Sequence, residues 1–241
     1  MTATRPARTE LVPVRRPDGS VRMLARLHPV PAAEYDALVA ALAPRIERAL
    51  GPEVMANRAL GRGLLATTRL EPWRPARAAW RRTLSRSLAS PVRPTLLVAD
   101  VRHCYASIRA EVLAGRLRAL GAEPEAVDRV RELLERFGDD GLQGLPVGPA
   151  ASALLANAVL AAVDEGLRRA GVPHVRWVDD VVAFATGRLQ ATASLDALRW
   201  ALDAVGLDPH PRKTEILTDR SRIRERLLNL GSCTGGGSAV G

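Results

Sequence analysis

The sequence predicts an α+β fold, and two observations lead to this prediction. Short apolar runs typical of strands are mixed with segments of helical periodicity, without the strict alternation of a parallel βαβ fold. The chain also has 241 residues, of which 47% are apolar, so it can bury a full core as one large domain or two small ones.

The N-terminal part contains a predicted hairpin, a predicted helix and a basic segment. Residues 11–24 predict two strands around a turn at Pro17-Asp18-Gly19-Ser20. Residues 32–50 follow a helical pattern, and Pro44 in its middle predicts a break or the start of a second helix. Residues 55–90 carry eight arginines and one acid, with Trp73 and Trp80 among them. This composition is typical of nucleic-acid binding, or of a solvated basic helix whose tryptophans lie in the core.

The remaining elements follow from apolar runs and from their breakers. Residues 95–100 predict a buried strand, and the apolar residues around Asp179 predict a hairpin. A glycine-rich loop is predicted at 138–148 and a further strand at 213–217. Helices are predicted at 109–120, 124–137, 150–170 and 194–205. Residues 231–241 are rich in Gly and Ser, which predicts a flexible tail.

Charge and cysteine content limit the partners and the compartment. A net charge of +9 favours a polyanionic partner, most simply a nucleic acid. No segment has the run of apolar residues that a transmembrane helix needs, and the N-terminus lacks the apolar core of a signal peptide. Cys104 and Cys233 are too few for a zinc cluster or a disulfide framework. We therefore expect a reduced, cytoplasmic protein without membrane contact.

Three carboxylates stand where buried strands begin or end. Asp179 and Asp180 lie between apolar residues, and Asp100 ends the apolar run Leu96-Leu97-Val98-Ala99. Buried charge requires a partner, and hard oxygen donors suit Mg²⁺ better than a soft metal. The alternative for the pair is a tight turn capped by Asp. Lys213 is the only lysine among 35 basic residues, which makes it a candidate for proton transfer unless it is retained by chance.

The order of these motifs resembles the palm of reverse transcriptases. Asp100, with Tyr105 five residues later, is similar to their first palm motif, and Leu145-Pro146-Val147-Gly148-Pro149 is similar to their second. Trp177-Val178-Asp179-Asp180 stands where the family has an aromatic residue followed by x-Asp-Asp. The segment from Gly206 to Lys213-Thr214 resembles the next motif, and the arginine-rich hairpin resembles the fingers. The Leu-Pro-Val-Gly-Pro form most resembles the abortive-infection and defence-associated reverse transcriptases of bacteria.

The resemblance implies an RNA-directed DNA polymerase that adds deoxynucleotides with two Mg²⁺ ions, for which Mn²⁺ is a possible substitute. Asp100 and Asp179 would bridge the ions, with the Val101 carbonyl as a further ligand and Asp180 supporting the site. Lys213 would protonate or neutralise the leaving pyrophosphate. The nucleotide would be bound by residues from three segments: Arg16, Arg22, Tyr105, Val147 and Gly148.

Tyr105 would exclude the 2′-hydroxyl and so select deoxynucleotides, unless it only packs in the core. The template and the product would contact the basic segment and the aromatic residue before the Asp pair: Arg58, Arg62, Arg74, Arg77, Arg81 and Trp177. For each fingers arginine, generic phosphate attraction or surface charge is the alternative.

As implied by the resemblance, residues 1–92 form fingers with the basic Arg/Trp segment. Residues 93–230 form a right-hand polymerase palm, an antiparallel sheet with helices on one face. The thumb is expected to be absent or truncated, with a protein or a structured RNA supplying that surface. The biological setting would be antiphage defence. The alternatives are template-independent or protein-primed DNA synthesis, and a catalytically weak nucleic-acid-binding subunit of a larger complex.

Overall fold

The computed structural model of the chain describes residues 9–15, 19–60, 67–89 and 92–230. The strands are, in chain order, β1 (Glu10–Arg15), β2 (Val21–Arg26), β3 (Thr95–Asp100), β4 (His174–Trp177), β5 (Asp180–Ala185) and β6 (Glu215–Leu217). The helices are α1 (Pro29–Ala49), α2 (Trp73–Ala89), α3 (Cys104–Ser107), α4 (Ala110–Ala119), α5 (Pro124–Asp139), α6 (Ala150–Arg169), α7 (Arg188–Asp203) and α8 (Arg220–Asn229). The antiparallel sheets and the mixed helices confirm the α+β class.

The core of the fold is a four-stranded antiparallel sheet in the order β4-β5-β3-β6. The apolar run of β3 is buried from Thr95 to Ala99, and only its last residue, Asp100, reaches partial exposure. β5 is buried along its whole length. The two central strands therefore present their carboxylates at the point where the buried sheet meets solvent.

Helices cover both faces of this sheet, so the prediction of helices on one face was wrong. Leu97 of β3 packs into a core shared with α1, α4, α5, α6 and α7. Its neighbour Leu96 faces the opposite side, where it joins Trp80 of α2 and Ile223 of α8. The cause is that residues 96–99 form a continuous apolar run, so both faces of the strand need cover.

The N-terminal hairpin forms as predicted, with Val12 opposite Leu24 and Val14 opposite Arg22. Its predicted turn lies partly outside the described residues. The predicted site residues Arg16 and Arg62 lie wholly outside them. The amide of Ala25 donates to the carbonyl of Val147 at 2.8 Å, which ties β2 to the glycine-rich loop. The hairpin is thereby held beside the sheet that carries the carboxylates.

The predicted break at Pro44 was wrong, because α1 continues through it to Ala49. Proline removes one backbone donor from a helix. The buried side of α1, which includes Tyr35, Val39 and Ile46, packs against the core on both sides of the proline. That packing compensates for the missing hydrogen bond.

α6 is the central core helix. The expectation that no segment is apolar enough to cross a membrane was wrong for this helix by length and composition, yet 78% of its apolar stretch is buried inside the protein. It packs against α1, α4 and α7. Its apolar character is therefore accounted for by burial in the core.

The C-terminal third differs from the prediction in three places. α7 begins at Arg188, six residues before the predicted start at 194. Lys213 ends a 3₁₀ turn (Pro211–Lys213) rather than opening a strand, and β6 begins two residues later. α8 was not predicted; its N-cap is Asp219, whose side chain accepts hydrogen bonds from the amides of Ser221 and Arg222. The division into fingers and palm at residue 92 and the state of the thumb stay predictions, and the tail 231–241 lies outside the described residues.

Candidate active site

The three predicted carboxylates come together at one end of the central sheet. Asp100 is the last residue of β3 and lies directly opposite Asp180, the first residue of β5. Asp179 belongs to the two-residue turn between β4 and β5, and its carbonyl accepts a hydrogen bond of 3.1 Å from the amide of Val101. The sheet register therefore places all three acids around one short edge.

Burial and mutual repulsion act on two of these acids. Burial raises the pKa of Asp179 from 3.8 to about 6, with the charge of Asp100 as the next cause. Burial likewise raises the pKa of Asp180 from 3.8 to about 7, followed by the charges of Asp179 and Asp100. Negative charge is thus concentrated at this edge beyond what the surrounding groups neutralise, which favours a bound cation.

Lys213 stands beside the acids. Its Nζ lies 3.0 Å from Oδ2 of Asp100, and the side chains are 49% and 13% exposed respectively. The preceding loop fixes this position, since the amide of His210 donates to the carbonyl of Asp100 at 2.7 Å. An ammonium group with one face on a carboxylate and the other toward solvent can donate a proton to an incoming anion.

The residues present fit a divalent metal by the chemistry of their donors. Carboxylate oxygens and a backbone carbonyl are hard ligands, and Mg²⁺ prefers such ligands. Among the described residues, no three His, Cys, Asp or Glu side chains are already grouped as a metal cluster. Lys213 instead supplies the countercharge to Asp100, so a metal at this edge would compete with that ammonium group.

Arg22 and Tyr105 are brought to the same edge. Burial raises the pKa of the Tyr105 phenol, and the nearby charge of Asp179 acts in the same direction. Arg22, on β2, is close enough to both residues for its guanidinium to oppose these shifts. The fold therefore joins a cation from the hairpin and a neutral aromatic ring to the acids, as the sequence predicted.

The glycine-rich loop closes the side of the site next to Tyr105. The amide of Leu145 donates to the carbonyl of Tyr105 at 2.8 Å. At Gly144, with φ of +62°, a Cβ atom would lie 2.3 Å from that same carbonyl oxygen. Gly148 has φ of +130°, where L side chains are strained. Glycine at 144 therefore permits the close approach between the loop and α3, and glycine at 148 permits the backbone conformation of the loop.

The predicted nucleic-acid contacts divide into exposed and buried residues. Arg74 and Arg81 of α2 are exposed, as a phosphate contact requires. Arg58 is instead part of the fold: it pairs with Glu47 and donates to the carbonyls of Gly51 and Val54. Its guanidinium joins the end of α1 to the next segment, and these partners within the protein do not support the predicted contact.

Arg77 and Trp177 are buried, at 7% and 3% exposure. The centroids of the Trp177 and Trp80 rings are 5.6 Å apart. The Arg77 guanidinium lies over both rings, 4.8 Å from the centroid of Trp80 and 5.2 Å from that of Trp177. Arg77 also donates to the carbonyl of Leu230. This cluster joins α2 to the sheet and to the end of α8, and its position does not support the prediction that these two side chains contact a template or primer.

Sequence reasoning missed a buried polar network directly behind the Asp pair. Arg176 and Asp164 form an ion pair of 2.7 Å whose side chains are 0% and 1% exposed. Asn157 accepts a hydrogen bond from Arg176 and donates to the carbonyls of Ala56 and Asn57. A signal was present, since opposite charges in an apolar strand and an apolar helix must find partners when both are buried.

Comparison with known proteins gives one family. The family described as reverse transcriptase (RNA-dependent DNA polymerase) matches residues 16–229, most of the chain. The search of curated proteins found no match to this chain.

Proposed function

The chain belongs to the reverse transcriptase family, and we propose that it catalyses nucleotidyl transfer with two Mg²⁺ ions held by Asp100, Asp179 and Asp180. The enzymes of this family are RNA-directed DNA polymerases, so the chain is a nucleotidyltransferase that binds an RNA template and a DNA product. The observation that supports the metal proposal is the register of Asp100 opposite Asp180, with Asp179 in the adjoining turn.

The acids and the Val101 carbonyl are the groups that would hold the metal. Bound there, the ions would stabilise negative charge on the attacking and leaving oxygens of the in-line displacement. Lys213 lies 3.0 Å from Asp100 and is half exposed, so its ammonium group can turn to the leaving pyrophosphate and donate a proton. Arg22 provides a fixed positive charge near Asp179 for the triphosphate.

The choice of sugar would depend on Tyr105. Its ring is half-buried, and its carbonyl is fixed by the amide of Leu145 in the glycine-rich loop. A rigid aromatic ring beneath the sugar leaves no room for a 2′-hydroxyl, which favours deoxynucleoside triphosphates. The neighbouring Val147 and Gly148 would contact the incoming nucleotide.

The biological setting proposed is defence against phage in the bacterial cytoplasm. The support is the Leu145-Pro146-Val147-Gly148-Pro149 form of the second palm motif, which resembles that of defence-associated reverse transcriptases. Phage plaque counts on cells carrying the wild-type gene or an Asp179→Asn gene test this setting. Equal plaque counts would remove the defence proposal without affecting the proposed chemistry.

Primer extension tests the metal proposal directly. The wild-type protein, an Asp179→Asn, Asp180→Asn double variant and an Asp203→Asn control are compared on an RNA template with Mg²⁺, Mn²⁺ or EDTA. Asp203 is an exposed carboxylate on α7, outside the site. We expect extension by the wild type and the control, loss in EDTA, and loss in the double variant. Full extension by the double variant would place the chemistry elsewhere.

A further inference from the structure

The turn that carries Asp179 has an unusual backbone. Val178, the residue before it, has φ of +57°, in the left-handed region. A residue branched at Cβ is a genuine outlier there, and such a conformation persists only where the surroundings impose it. Something next to Val178 must therefore hold the turn.

The Arg176 guanidinium is the group that contacts this turn from within the protein. Its Nη1 donates to the carbonyl of Val178 at 2.7 Å. The donating side chain is wholly buried, which strengthens this hydrogen bond relative to one made in water. From the other side, the amide of Val101 donates to the carbonyl of Asp179 at 3.1 Å. The two peptide groups that flank Asp179 are thus each held by one hydrogen bond.

Arg176 is itself fixed by partners on α6. Its Nε and Nη2 donate to both carboxylate oxygens of Asp164, at 2.7 to 3.1 Å. Nη1 also donates to Oδ1 of Asn157 at 2.9 Å. His174 adds a weaker contact to Asp164 at 3.4 Å. A planar guanidinium can bind three groups in these directions at once, whereas a lysine ammonium group cannot.

We propose that Arg176 is a positioning residue that holds the left-handed turn at Val178 and so directs the Asp179 carboxylate toward Asp100. The inference rests on the proposed metal site, because Asp179 is the ligand that it places. The buried Asp164 and Asn157 contribute to the same positioning, because they orient the Arg176 guanidinium. In this view, the need for Arg176 comes from the side chain of Val178.

The dependence of this role on the Val178 side chain is tested by measuring Mn²⁺ binding by calorimetry in four proteins. They are the wild type, Arg176→Lys, Val178→Gly and the double variant. Arg176→Lys keeps the charge opposite Asp164 and removes the hydrogen bond to the turn. We expect Mn²⁺ affinity to fall about tenfold in Arg176→Lys. Glycine adopts a positive φ without strain, so the double variant should return to within about twofold of Val178→Gly alone.

Two outcomes overturn the proposal: Arg176→Lys binding Mn²⁺ as tightly as the wild type, or the double variant binding as weakly as Arg176→Lys. If Arg176→Lys does not fold, as judged by its thermal unfolding transition, Asn157→Ala with and without Val178→Gly decides by the same criterion. Asp179→Asn distinguishes failure of the proposed metal site from failure of the positioning role. If it leaves Mn²⁺ binding intact, the proposed metal site fails; if it abolishes binding while Arg176→Lys changes nothing, only the positioning role fails.

Discussion

Replacing Asp180 with asparagine should stabilise the metal-free protein at neutral pH. Asp180 is 8% exposed, and burial followed by the charges of Asp179 and Asp100 raises its pKa from 3.8 to about 7. The folded carboxyl thus holds its proton more tightly than the unfolded chain does. Its contribution to stability is full below about pH 4 and is lost as the pH rises to about 7. A rise of about three pKa units corresponds to about 4 kcal/mol, most of which Asp180→Asn should recover above pH 7.

Urea unfolding in EDTA between about pH 4 and pH 8 measures this effect. The free energy of unfolding should fall more steeply with pH in the wild type than in Asp180→Asn, and the two curves should approach each other near pH 4. The exposed Asp203→Asn change serves as the control and should follow the wild type. Parallel curves for the wild type and Asp180→Asn across the whole range would refute the idea that the ionised, buried Asp180 destabilises the fold.

Four further predictions concern the site. Mg²⁺ at neutral pH should stabilise the wild type more than Asp180→Asn in the same unfolding assay, and equal stabilisation would argue against binding at the acids. Gly144→Ala should cost about 2–3 kcal/mol because its Cβ would lie 2.3 Å from the Tyr105 carbonyl oxygen. Gly141→Ala, at φ of +93° with nothing within 4 Å, should cost only about 1 kcal/mol, and equal urea midpoints for the two would contradict this. Lys213→Arg and Lys213→Gln should both lower kcat about 100-fold, since neither side chain gives up a proton; wild-type turnover by the arginine variant would leave charge as the only role. Tyr105→Ala should lower the ratio of kcat/KM for deoxy- over ribonucleotides at least about tenfold, with Tyr105→Phe unchanged, and an unaltered ratio would return Tyr105 to a packing role.

The central sheet was predictable because its signals are local. The apolar run before Asp100 and the apolar residues on either side of the Asp pair each specify a buried strand, and the structure has strands at both. The hairpin at 11–24 was predictable from its alternation and turn residues. The helices on both faces were not, since the sequence pattern shows that a strand is buried but not which elements cover it.

The site could be predicted in part. The positions of the acids and Lys213 in the chain identified candidates that the fold does bring together. The burial of Arg77 and Trp177, and the structural contacts of Arg58, could not be foreseen, because a pattern of charge and aromatic residues looks the same on a surface and in a packed cluster. The partners of Arg77 are distant in the chain, since it contacts the Trp177 ring and the carbonyl of Leu230.

The positive φ of Val178 also has no sequence signal. Valine is a residue that local propensity places in extended strands. Its conformation depends on Arg176, which is itself oriented by Asp164 and Asn157 on a helix elsewhere in the chain. Tertiary contacts of this kind override local preference, and they become visible only once the fold is known.

Single-nucleotide incorporation opposite a defined RNA template tests both templated synthesis and the carboxylate site in one assay. Each of the four deoxynucleoside triphosphates is offered alone with Mg²⁺ to the wild type and to Asp179→Asn, on templates that differ at one base. We expect the wild type to add only the nucleotide complementary to that base and Asp179→Asn to add none. Incorporation that ignores the template base would contradict templated synthesis and favour the template-independent alternative, and incorporation by Asp179→Asn would contradict the carboxylate site.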